Sequence, residues 1–178
     1  MGTDDQEIEK MMQEFVKIYR DLLIEEFKSY THFLESVRNL VKNAENNIYL
    51  DITLRPREEA LLEMLDPELY KKYLEVRERN LKERKKFMQE ILKNADQLEK
   101  RLQKYGVKVI VDFHVRGYPD HYLIFVKLPK DQQLSNYSAI ELVYELEEIG
   151  LIFIPNIDIW GYGWGYIGKF GKYPPFKL

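Results

Sequence analysis

Apolar residues recur every three or four positions over residues 3–46, and this spacing predicts one long amphipathic helix. Thr3 and Gln6 form a capping-box pattern at its start. The apolar stripe is wide, so we expect it to be covered from more than one side. Its members are Met12, Val16, Tyr19, Leu23, Phe27, Tyr30, Leu34, Val37, Val41 and Ala44, flanked by Phe15, Leu22, Phe33 and Leu40.

A second long helix is predicted over residues 67–105. Asp66 stands at an N-cap position before Pro67, and no further Gly or Pro occurs until Gly106. Apolar residues fill both heptad positions only in its second half, so residues 75–86 are expected to form a solvated, outward-reaching segment. The two heptad series are Leu74, Leu81, Met88, Ala95 and Leu102, and Arg77, Arg84, Ile91, Leu98 and Tyr105.

The remaining pattern alternates between strand and helix periods. Apolar and polar residues alternate over 48–54, which predicts a strand, and a short helix is predicted over 55–65. After Gly106 the period changes to two, which predicts a hairpin of strands at 107–115 and 121–128, a helix at 137–149 and a strand at 151–155.

These elements predict an α+β fold. Two long amphipathic helices form an arm or a helical hairpin, and a small mixed sheet carries one covering helix and an aromatic, glycine-rich tail. We expect a mainly helical region over 1–106, including the 48–54 strand, and a small α+β unit over 107–178. The two regions are expected to pack together as one structural unit.

The tail combines four aromatic residues with alternating glycines. In an extended chain this order places the rings on one face and bare backbone on the other. The rings are expected to pack on this subunit or a neighbour; a stacking platform for nucleic-acid bases and a mobile tail are the alternatives. The aromatic residues are Trp160, Tyr162, Trp164 and Tyr166.

Composition and charge exclude several classes of protein. The chain has no cysteine, so it has neither disulfides nor thiolate metal sites. It lacks a signal-peptide pattern and an apolar run of membrane-spanning length, so we expect a soluble, intracellular protein, cytoplasmic or otherwise, that is not secreted and does not bind membranes. Abundant Lys, Glu, Ile and Tyr without Cys favours a thermophilic source.

The formal net charge of -3 is unevenly distributed. Residues 1–66 carry fifteen acidic and eight basic side chains, whereas 67–106 carry seven acidic and twelve basic ones. Pairing between these regions accounts for the asymmetry; the alternative is a basic ridge that binds nucleic acid together with the tail aromatics. The ridge consists of Arg77, Arg79, Lys82, Arg84, Lys85 and Lys86.

Polar residues around the predicted hairpin suggest two further alternatives. One is a divalent-metal site formed by Asp112, His114, Asp120 and His121.

The order of elements, with Pro119-Asp120 followed by Lys127, also resembles the PD-(D/E)XK nucleases. That resemblance implies a metal-dependent nuclease using Asp112 or Asp120, Lys127 and Glu141. Phe125 stands where the family pattern has an acid, and Glu141 on the following helix would replace it.

The favoured hypothesis is a non-enzymatic assembly or interaction protein. It would self-associate, or bind a protein partner, through its long amphipathic helices. No cofactor is expected unless the chain is a nuclease, which would require a divalent metal.

Overall fold

Long helices and a small sheet make up the computed structural model of the chain, which describes residues 3–128, 134–157 and 161–176. The predicted α+β class is confirmed. No helix within these ranges is long and apolar enough to cross a membrane. The helices are α1 (Thr3–Asn46), α2 (Pro56–Leu65), α3 (Pro67–Arg101) and α4 (Asn136–Glu148), and the strands are β1 (Lys108–Asp112), β2 (His121–Lys127), β3 (Ile152–Ile157) and β4 (Gly161–Lys169).

The ends of α3 follow the signals in the sequence. The Asp66 carboxylate accepts a hydrogen bond from the Leu69 amide at 3.1 Å, as an N-cap should. At the other end a 3-10 turn over Gln103–Tyr105 leads to Gly106, whose φ of 66° lies in the left-handed region. The helix therefore stops where a glycine is available to reverse the chain.

The chain forms two compact units whose boundary lies within α3. The N-terminal unit comprises Met1–Asn46 and Ile52–Arg77, and the C-terminal unit comprises Asn47–Asp51 and Glu78–Leu178. These units cut across the ranges 1–106 and 107–178 predicted from the sequence, because most of α3 belongs with the sheet.

In the N-terminal unit, α2 turns the chain back, so that the end of α1 and the start of α3 run in the same direction. Two ion pairs show this order: Arg38 with Asp66 at 3.3 Å, then Glu45 with Lys72 at 2.9 Å. These two segments therefore do not form an antiparallel hairpin. The side chains buried in this unit include Val37, Val41, Ala44, Ile52, Leu62, Tyr73 and Val76.

The sheet of the C-terminal unit has the strand order β1-β2-β4-β3 and is antiparallel throughout. The sheet is thus not mixed, contrary to the prediction. One of its faces packs against both α3 and α4, through Phe87, Ile91, Leu98, Leu102, Leu142 and Leu146, so α4 is not its only covering helix.

The prediction of a strand over 48–54 was wrong. This segment forms a turn and an irregular stretch instead. Side chains of α3 bind carbonyl groups at its start: Asn80 Nδ2 donates to the carbonyls of Asn47, just before the segment, at 3.0 Å and of Leu50 at 2.9 Å, and Arg84 donates to that of Tyr49 at 3.0 Å. Because these bonds satisfy three backbone carbonyls, those groups need no partner on a neighbouring strand.

The first half of α3 is also less solvated than its charges suggest. Tyr73, Val76 and Asn80 are buried, while Leu81 of the predicted heptad series is exposed. Asn80 and Arg84 lie on the buried side of the helix and bind backbone carbonyls there. Because both are polar, a search for apolar heptad positions does not predict their burial. The segment over 75–86 is therefore only partly an outward-reaching shaft.

Stability should fall at alkaline pH through Tyr122. Burial raises the pKa of Tyr122 well above its usual 10, and its hydroxyl donates to the Lys172 carbonyl at 2.6 Å. A raised folded-state pKa stabilises the fold below pH 10, and this contribution is lost as the pH rises further. We expect the thermal unfolding midpoint to fall between about pH 9 and about pH 11, and to fall less in Tyr122→Phe. Circular dichroism melts at each pH give these midpoints. An equal fall of the midpoint with pH in the unchanged chain and in Tyr122→Phe would contradict this assignment.

Candidate self-association surface

The first half of α1 exposes an unusually large set of apolar side chains. Eleven large apolar residues of this segment are between 46% and 71% exposed. Monomeric proteins seldom expose contiguous apolar patches of more than a few hundred Å². We call the set the α1 face; it comprises Ile8, Met11, Met12, Phe15, Val16, Ile18, Tyr19, Leu22, Leu23, Ile24 and Phe27.

The α1 face is a continuous stripe. At 100° per residue, all of its members except Ile24 fall within about half of the helix circumference. Lys10, Gln13, Lys17 and Asp21 occupy the opposite side. The sequence pattern identified seven of the eleven residues and missed Ile8, Met11, Ile18 and Ile24. The first three continue the same spacing through Phe15 and Leu22.

The apolar stripe of α1 is buried near the C-terminal end of the helix. Towards its C-terminal end, Val37, Val41 and Ala44 are at most 2% exposed within the N-terminal unit. An amphipathic helix gains most of its stability in water from burying its apolar face, and an isolated one is marginal. Residues 8–27 continue the buried stripe without cover from the described residues.

The area of the α1 face is comparable with what a stable interface requires. Burying one such side chain removes roughly 60–120 Å² of apolar surface, so eleven side chains a little more than half exposed offer on the order of 600 Å². Two copies together would bury on the order of 1,200 Å², the lower end of specific protein interfaces.

Charges next to the α1 face are mostly acidic. The first turns contain Asp4, Asp5, Glu7 and Glu9. The positive end of the helix dipole stabilises carboxylates at these positions. Near the other end, the Tyr30 hydroxyl donates to Glu26 at 2.6 Å, and this bond raises the pKa of Tyr30 above its usual value. Two such helices aligned in parallel would bring eight carboxylates together, whereas an antiparallel pair separates them.

Half of the predicted basic ridge is engaged within the fold. Arg77 forms an ion pair with Glu59, and both Nε and Nη2 of Arg79 lie 3.0 Å from Asn80 Oδ1. The Arg84 guanidinium lies over the Phe170 ring, with its Cζ 3.8 Å from the ring centroid, and burial lowers the pKa of Arg84. Lys82, Lys85 and Lys86 remain exposed, and nucleic-acid binding through them stays a prediction.

Two of the predicted tail aromatics pack on the sheet. Trp164 and Tyr166 of β4 are partly buried against the core, and the Trp164 ring lies 5.7 Å from that of Phe153. Tyr162 is exposed, and Trp160 lies outside the described residues. A strand rather than a mobile tail thus holds Trp164 and Tyr166.

The residues predicted for metal binding or nuclease chemistry do not converge. Lys127 is the last residue of β2 and Asp120 immediately precedes the first, so the two lie roughly 20 Å apart along the strand. Glu141 of α4 instead forms an ion pair with Lys104 at 3.3 Å. The nuclease set therefore does not form one site.

The four predicted metal ligands form local pairs. Asp120 Oδ1 lies 2.8 Å from His121 Nδ1, and that hydrogen bond lowers the pKa of the Asp120 carboxyl. Asp112 accepts a hydrogen bond from the His114 amide at 2.8 Å. Across the described ranges, no group of three or more His, Asp or Glu side chains could hold a metal ion.

Comparisons with protein-family models, with curated proteins and with solved structures find no match to this chain. The proposed function is therefore supported by the residues of the chain alone.

Proposed function

We propose that this protein is a non-enzymatic assembly protein that self-associates through the α1 face. The observation that supports the proposal most strongly is the set of eleven exposed apolar side chains on one stretch of helix. The occupant proposed is the same face of a second copy, because two copies together reach the area of a specific interface.

The proposed arrangement is antiparallel. Apolar stripes of two antiparallel helices interdigitate along residues 8–27, and the acidic first turns of the two copies lie at opposite ends. Opposed helix dipoles also favour this direction. The width of the stripe leaves room for further helices, so the interface is compatible with a bundle of more than two copies.

Charged residues within the α1 face are expected to abolish association through that face. In Phe15→Glu/Leu22→Glu each copy loses two apolar side chains and places two carboxylates in the interface. We expect the dissociation constant to rise by at least about 100-fold. Sedimentation equilibrium over a range of protein concentrations measures the change.

Lys17→Glu is the matched control. It changes the net charge by the same two units but lies on the polar side of α1, so its association should stay within about threefold of the unchanged chain. A concentration-independent monomer for the unchanged chain, or equal weakening by both variants, would contradict the proposal.

A further inference from the structure

The C-terminal unit has an open sheet edge at β1. Within the part of the chain that the structure describes, the backbone of β1 hydrogen-bonds with β2 alone. An edge strand presents a row of unpaired amide and carbonyl groups and is a template for another strand. Its sequence is Lys108-Val109-Ile110-Val111-Asp112.

The opposite edge of the sheet is protected, and β1 is not. Strand β3 contains Pro155, which has no amide hydrogen to donate, and its pairing is irregular between Ile154 and Ile157. Proline and irregular pairing are the usual means of preventing a further strand from adding. Strand β1 has neither, and its register with β2 is regular over all five residues.

The middle of β1 is only partly covered. Val109, Ile110 and Val111 are half-buried, whereas the residues opposite them on β2 are fully buried. A strand added beyond β1 would cover the three side chains on both faces of the sheet.

The charges of β1 lack complementary partners in its own sheet. Lys108 lies directly opposite Lys127 of β2, and like charges at this spacing are destabilising. Among the described residues neither lysine forms an ion pair. Asp112 lies opposite Leu123, and its carboxylate accepts a hydrogen bond from the His114 amide.

We propose that β1 pairs antiparallel with β1 of a second copy, around a two-fold axis at Ile110. The charges of the strand are complementary to themselves in this register: Lys108 of each copy lies opposite Asp112 of the other, and Val109 opposite Val111. This edge does not depend on the α1 face. If the α1 face and β1 pair with different copies, assembly extends beyond a dimer.

The test uses the full chain carrying Phe15→Glu/Leu22→Glu, so that association through α1 is removed. In this parent, Lys108→Asp places carboxylates opposite carboxylates, and Asp112→Lys places ammonium groups opposite ammonium groups. Each single change should weaken association by about 10- to 100-fold. The double swap Lys108→Asp/Asp112→Lys restores both opposite-charge pairs and should associate within about threefold of the parent.

Mixing the two single variants provides the decisive measurement by sedimentation velocity. The variants are complementary to each other, so we expect an equimolar mixture to form the dimer that neither variant forms alone. The proposal is overturned if the parent is monomeric at its highest soluble concentration, or if the double swap and the mixture associate no better than the single variants. Weaker self-association of the Phe15→Glu/Leu22→Glu chain than of the unchanged chain reports on the α1 face separately.

Discussion

Alanine in place of Gly163 is expected to destabilise the C-terminal unit by about 3 kcal/mol. A Cβ atom at this position would lie 2.4 Å from the Val126 carbonyl oxygen and 2.5 Å from Cζ of Phe125. The oxygen belongs to the backbone of the neighbouring strand, and the Phe125 ring is fully buried. Urea unfolding followed by tryptophan fluorescence measures the loss.

Gly165→Ala provides the comparison on the same strand. Its Cβ would meet Cδ1 of Ile154 at 2.7 Å, but this is the end of a flexible side chain, and the Ile124 carbonyl oxygen is 3.1 Å away. We expect a cost of about 1 kcal/mol. Equal destabilisation by the two substitutions would show that the backbone contact at Gly163 does not limit the packing.

Asn80→Ala is the second substitution with a large expected effect, also about 3 kcal/mol. Asn80 is 1% exposed and donates to the carbonyls of both Asn47 and Leu50. Alanine would leave these two acceptors without their donor, and Arg79 would lose an acceptor. Chemical unfolding measures the cost, and amide exchange over residues 47–51 should accelerate.

Asn94→Ala is the control on the same helix. Asn94 Oδ1 is buried and accepts no hydrogen bond from any described residue. Removing that group breaks no such bond, and alanine has the higher helix propensity, so stability should stay the same or rise by about 0.5 kcal/mol. A loss as large as that of Asn80→Ala would contradict the role assigned to Asn80.

The helices were predictable because their signals are local. The spacing of apolar residues, the Asp66 cap and the glycine at 106 each act within a few residues of the helix they define. The strand prediction for 48–54 failed because the hydrogen-bond donors to this part of the chain, Asn80 and Arg84, lie about thirty residues away and are polar. Alternation in sequence does not distinguish a strand from a segment held by side chains.

The tail shows a similar limit. Alternating aromatic residues and glycines predicted that the rings share one face, and Trp164 and Tyr166 do so. That this stretch becomes an inner strand of the sheet, between β2 and β3, depends on Phe125 lying against Gly163, which local pattern cannot show.

The candidate surface was predicted in part. The stripe of α1 follows from its periodicity, but periodicity does not show which part of a stripe is covered. Only the structure separates the buried end at Val37–Ala44 from the exposed residues 8–27. Similarly, charge alone placed Arg77 and Arg84 on a ridge, whereas one forms an ion pair with Glu59 and the other covers Phe170.

Hydrogen exchange in α1, measured at several protein concentrations, tests the central claim most directly. An exposed helix exchanges its amides quickly, whereas a helix buried between copies is protected. We expect protection over residues 8–27 to rise with protein concentration and to vanish in Phe15→Glu/Leu22→Glu. Protection that does not depend on concentration would show that another part of the same chain covers the face, and uniformly fast exchange would show that nothing does; either result would contradict self-association through α1.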